Sequence, residues 1–277
     1  MPIDYPAGDQ LFGVSFQRLA AGSAPIGFAT PGTLALQLSK ALQANSTLPN
    51  RSGSLFASSS VEMWHRAIHS FLLSVALTET SPLWASVTGY YASHFVMRAV
   101  CHSIGVFKLF SRRSIVQVIL RNGNFVCSMV SGGERGEHAF YWNVARQHPN
   151  FSANPLFRDN SERNLASDSA HRNFANYTDH VGRFTRLSFP LSQEISLNVE
   201  KISRIRLHSV TEPSREDYPD LFNVQILAFQ RIVSFHDFLE TRVPGNRFWR
   251  AHRRPSWCDG IMVYQVEEDR LEQPLTS

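Results

Sequence analysis

Apolar side chains recur at helical spacing over two consecutive stretches in the middle of the chain. Over residues 60–78, Trp64, Ile68, Leu72, Val75 and Ala76 make one apolar face, with Ser60 placed to cap it. Ser81-Pro82 then breaks the pattern and restarts it, because serine suits an N-cap and proline the first helical position. Residues 83–106 carry Tyr90, Phe95, Val96, Met97, Val100, Cys101 and Ile104 and predict a second long helix. So short a connection predicts an antiparallel helical hairpin. The period next changes to that of strands. Residues 114–120 and 125–130 are β-rich and flank Arg121-Asn122-Gly123-Asn124, and Asn-Gly between such runs predicts a tight β-hairpin.

Around this centre the pattern is weaker. Residues 1–60 are rich in Gly, Ser, Pro and Ala and hold one short helix over 32–43, with Leu34, Leu36, Leu38 and Leu42; residues 51–60 read as a Ser-rich connector. After a glycine-rich turn at 131–136, Phe140, Trp142 and Val144 predict a short helix over 137–147. Residues 149–169 read as loop. Further helices are expected near 169–184, 192–209 and 219–242, the last ended by Pro244-Gly245, and one strand near 261–266. No internal repeat is seen. The expectation is a mainly α fold, a helical bundle with a long central antiparallel helical hairpin and a small inserted β-hairpin. Its parts are a partly irregular N-terminal extension (1–60), a helical domain (61–245) with the β-hairpin inserted near 114–130, and a basic, aromatic C-terminal tail (246–277).

Composition narrows the class. Of 277 residues, 43% are hydrophobic and 18% charged, which is the balance of a globular chain. A net charge of +4 and a pI near 9.1 permit an anionic partner without requiring one. Lys40, Lys108 and Lys201 are the only lysines, so arginine carries the positive charge; arginine suits bidentate phosphate contact, and a GC-rich coding sequence gives the same bias. Cys101, Cys127 and Cys258 are too few and too scattered for a disulfide framework or a zinc module, which points to a reducing cytoplasm. The first 13 residues lack the basic and apolar regions of a signal peptide, and no apolar run approaches the ~18 residues of a membrane span. There is no Walker A loop, dinucleotide glycine fingerprint, G-x-S-x-G elbow or Cys-x-x-Cys pair, so neither cofactor nor metal is expected.

Candidate chemistry concentrates on the second long helix. His94, Arg98 and His102 recur every four residues, with Tyr91 three residues before the first, so helical geometry sets them on one stripe. Histidine can move a proton near neutral pH and arginine can hold a phosphate, which together suffice for RNA cleavage without a metal. An interface or solvent face of a structural helix has the same residues. His65 and His69 are also four apart, with Glu62 one turn earlier, but lack the glutamate of a zincin motif; a third ligand would have to come from His94 or His102 across the helical hairpin. A third cluster lies in the tail: Arg242, Arg247, Arg250, His252, Arg253 and Arg254, interleaved with Phe248, Trp249 and Trp257. Basic residues with aromatics suit phosphate contact and base stacking, or equally a solvated basic edge.

The segment from Trp84 through Tyr90-Tyr91, His94, Phe95 and Arg98 resembles the central helix of HEPN-like proteins, and His171-Arg172-Asn173-Phe174-Ala175-Asn176-Tyr177 resembles their later helix, in the same order. The resemblance covers residues 61–184. It implies a small helical domain of the kind tied to RNA cleavage, toxin–antitoxin pairs and phage defence, acting as a homodimer in the cytoplasm. It also implies RNA as partner, with a protein partner such as an antitoxin-like subunit, and no membrane. On this likeness the catalytic candidates are Arg98, His102 and His94, and Tyr91, Arg172, Tyr177 and His180 are substrate contacts; the basic, aromatic tail separately offers Arg250, Arg253 and Arg254 as substrate contacts. Arg98 and His102 stand closer in sequence than the Arg and His of catalytic members, so a non-catalytic interaction subunit and a nucleotide or small-ligand sensor remain alternatives.

Overall fold

Seven α-helices and a four-stranded antiparallel sheet make up the described part of the protein, in keeping with the mainly α expectation. The structure is a computed structural model and describes residues 2–21, 31–44, 47–78, 81–109, 114–130, 137–157 and 223–253. In chain order the helices are α1 (Tyr5–Ala20), α2 (Pro31–Gln43), α3 (Leu55–Ala76), α4 (Pro82–Ser103), α5 (Glu137–Gln147), α6 (Asn223–Arg242) and α7 (Arg247–His252). The strands are β1 (Thr47–Leu48), β2 (Val106–Leu109), β3 (Ser114–Arg121) and β4 (Asn124–Val130). The helices expected near 169–184 and 192–209, the strand near 261–266, and residues 254–277 of the tail lie outside the described residues.

The central helical hairpin forms as the spacing predicts, but α3 starts five residues before Ser60. Its serine-rich first turns are buried rather than solvated. Ser60 Oγ donates to the Ala99 carbonyl at 2.7 Å and Ser59 Oγ lies 2.9 Å from His102 Nδ1. Nearer the tip, Ser74 Oγ donates to the Ala85 carbonyl at 2.5 Å. Rising α3 numbers meet falling α4 numbers, as an antiparallel pair requires. These hydroxyls replace solvent for groups that would otherwise be buried unsatisfied.

The β-hairpin also matches, with Asn122 (φ 49°) and Gly123 (φ 78°) both left-handed, the conformation of a type I′ turn. Two further strands enlarge it, giving the order β1-β4-β3-β2. β2 follows α4 through Gly105, whose φ is +73°; a Cβ there would stand 2.5 Å from the Val118 carbonyl oxygen, so only glycine fits. One sheet face buries Leu48, Phe107, Leu109, Val116, Val118 and Phe125 against Leu11, Leu38, Ala41, Leu55 and Phe56.

The N-terminal residues depart from the expectation of a single short helix. α1 precedes α2, capped by Asp4, whose carboxylate accepts from the Ala7 N–H at 3.0 Å. It buries Leu11, Phe12, Ser15, Phe16 and Leu19 on one side. Gly8 and Gly13 dilute its helical signal, yet Gly8 is needed: a Cβ there would lie 2.7 Å from the Ile104 Cβ. The start of the expected tail is likewise folded. Asn246 caps α7 through bonds from the Phe248 and Trp249 N–H groups, and Trp249 is fully buried.

The chain divides into two compact units. The first draws on the described residues within Met1–Trp64, Met97–Ser152 and Phe238–Arg253, and holds the sheet, α1, α2, α5 and α7. The second draws on those within His65–Val96 and Ala153–Asp237. Inside the second unit Phe71 packs on Phe229 at 5.5 Å, and Gln225 Nε2 donates to Thr78 Oγ1 at 2.8 Å. Arg231, fully buried, donates to the Leu156 carbonyl at 2.6 Å and to Ser93 Oγ at 2.9 Å. Among the described residues no helix is long and apolar enough to cross a membrane.

Candidate functional site

The α4 stripe is real, but most of it turns inward. His102 is 3% exposed, its ring 4.6 Å from Phe107 and 6.2 Å from Tyr141. Burial, and after it the Arg98 charge, push its pKa well below the usual histidine value; a bond to the Ser59 backbone opposes them. The imidazole is therefore neutral at neutral pH. Arg98 is half-buried, its guanidinium 5.5 Å over the Tyr141 ring. Cys101 beside it donates to the Tyr141 carbonyl at 3.6 Å, and burial raises its pKa far above that of a reactive thiol.

In the second unit His94 is 2% exposed and lies parallel to Tyr90 at 6.3 Å, while Tyr91 is half-buried. A general base or acid must come within hydrogen-bond reach of the proton it moves. Two histidines closed from solvent are placed to pack and to orient neighbours. Arg172, Tyr177, His180 and Arg254 lie outside the described residues. His65 and His69 sit on the outer side of α3, half-buried and exposed, and no group of three or more His, Cys, Asp or Glu among the described residues is placed to hold a metal.

The basic cluster near the C-terminus is differently built. α7 is fastened to α1 and α3: Asn246 Nδ2 donates to the Phe16 carbonyl at 3.0 Å, Phe248 meets Phe16 edge-on at 6.4 Å, and Trp249 meets Trp64 at 5.3 Å. The Trp249 indole N–H donates to Glu240 at 2.7 Å. With its apolar side fixed in this way, α7 presents Arg247 and Arg250 exposed and Arg253 half-buried, the last 3.8 Å from Glu240. His252 stacks on Phe248 with centroids 4.2 Å apart, its Nδ1–H donating to the Phe248 carbonyl at 2.8 Å. Beside this stack opens a groove of 460 Å³, walled by Leu19, Ala20 and Ala21 at the end of α1 and by Arg247 and Phe248. Its volume falls within the roughly 300–1,000 Å³ of small-ligand sites.

Against protein-family models, curated proteins and solved structures alike, the chain finds no match.

A third polar cluster joins α1 to α6 and to the turn that follows α5 within the first unit. Asp9 Oδ2 lies 3.1 Å from Arg242 and Oδ1 3.5 Å from His148 Nε2. The Asn150 N–H donates to His148 Nδ1 at 3.1 Å, which leaves Nε2 to carry the proton toward Asp9. Burial pushes the Asp9 pKa up, but the bond from His148 and the neighbouring Arg242 guanidinium outweigh it, and the net shift is downward. Nδ1 is taken by the Asn150 N–H and Nε2 stands against the Asp9 carboxylate, so the cluster fastens elements.

Sequence spacing singled out Arg250 and Arg253, which lie on an accessible surface, and His94 and His102, which do not. It missed Ser59, the Asp9 cluster and the α1 wall of the groove. Ser59 had one signal, its place in the Ser58-Ser59-Ser60 run immediately before the apolar helical pattern.

Proposed function

We propose that the chain is an RNA-directed protein that binds through the basic, aromatic end formed by α7, and that the α4 stripe holds the fold. The observation that carries this reading is the groove. Exposed arginines and a part-buried aromatic ring lie together on a helix whose own contacts are fixed, beside an open cleft. Arginine beside an aromatic platform suits the phosphate and base of RNA. The closure of His94 and His102, 2% and 3% exposed, favours binding over cleavage. A HEPN-like kinship, a cytoplasmic place and a role in bacterial defence or a toxin–antitoxin pair belong to this reading, as does assembly as a homodimer or with a protein partner.

Salt dependence tests it. Each phosphate contact on a single strand adds about 0.7 to the slope of log affinity against log salt. Replacing Arg247, Arg250 and Arg253 with alanine should weaken binding to a labelled RNA and lower that slope by up to about 2. An unchanged slope would place the contact surface elsewhere.

A further inference from the structure

We draw no further inference here: the strongest candidate, the outer edge of β4 over residues 127–130, which pairs with no strand among the described residues beyond the β1 contact at Phe125 and Val126 and where Met129 stands exposed, carries nothing because nothing in the structure shows what covers it.

Discussion

Replacing His102 with glutamine should flatten the protein's loss of stability in mild acid. In the unfolded chain His102 takes up a proton below about pH 6.5. In the folded chain burial and the neighbouring Arg98 hold its pKa well below that value. Below the ordinary histidine pKa the unfolded state therefore binds one more proton than the folded state, and stability falls as pH falls. The contribution is complete above the unfolded value and stops declining only at the depressed folded value. For a folded imidazole that stays neutral to pH 5.5, the loss between pH 7 and pH 5.5 is about 1.3 kcal/mol. Glutamine does not titrate, so the variant lacks this increment. It also loses the ring contacts with Phe107 and Tyr141, a penalty of about 1–3 kcal/mol that does not depend on pH. Urea unfolding of both proteins, followed by tryptophan fluorescence through this range, reads the difference: the two stabilities should converge as pH falls. Parallel curves would show that His102 titrates normally in the folded protein, and the case for a closed, neutral imidazole would fail.

Two glycines give a paired test of the turns. Gly105→Ala sets a Cβ 2.4 Å from the Leu11 Cδ2 and 2.5 Å from the Val118 oxygen at a φ of +73°, and should cost about 2–4 kcal/mol; Gly123→Ala, at φ +78° with open space around it, should cost about 1 kcal/mol. Equal losses in thermal or urea unfolding would contradict the close approach at Gly105. Asp9→Asn should cost less than about 1 kcal/mol near neutral pH, because Arg242 is exposed enough for solvent to screen the pair. As the Asp9 pKa is lowered on folding, the difference between the two proteins should vanish as pH falls through the carboxylate range; a difference that persists in acid would show that Asp9 acts by packing.

The hairpins were legible because their signals are local. Asn122-Gly123 supplies both left-handed residues of its turn, and Ser81-Pro82 separates two helices that can then only fold back. α1 was illegible because Gly8, which breaks its local helical signal, answers to a contact with Ile104 far along the chain. The stripe on α4 was legible as a spacing but not as a direction. Tyr90, Ala92, Val96, Met97 and Val100 are buried on several sides of that helix, so periodicity gives no sign of which side meets solvent. Placement of His94 and His102 was decided by partners such as Ser59 and Phe107, which only the fold brings to them. Arg250 and Arg253 were legible as a charge cluster, whereas the groove beside them takes its other wall from the opposite end of the chain.

The most direct test of a protein that holds RNA through α7 without cutting it at α4 is one incubation read on two gels. The full chain is mixed with an end-labelled single-stranded RNA in the presence of EDTA, and the mixture is run native and denaturing. A shifted band that disappears in the Arg247, Arg250 and Arg253 triple alanine variant is expected, while the RNA stays intact on the denaturing gel. Discrete cleavage lost in the His102→Gln protein would contradict it, because an imidazole closed off beside Ser59 and Phe107 would then be doing the chemistry.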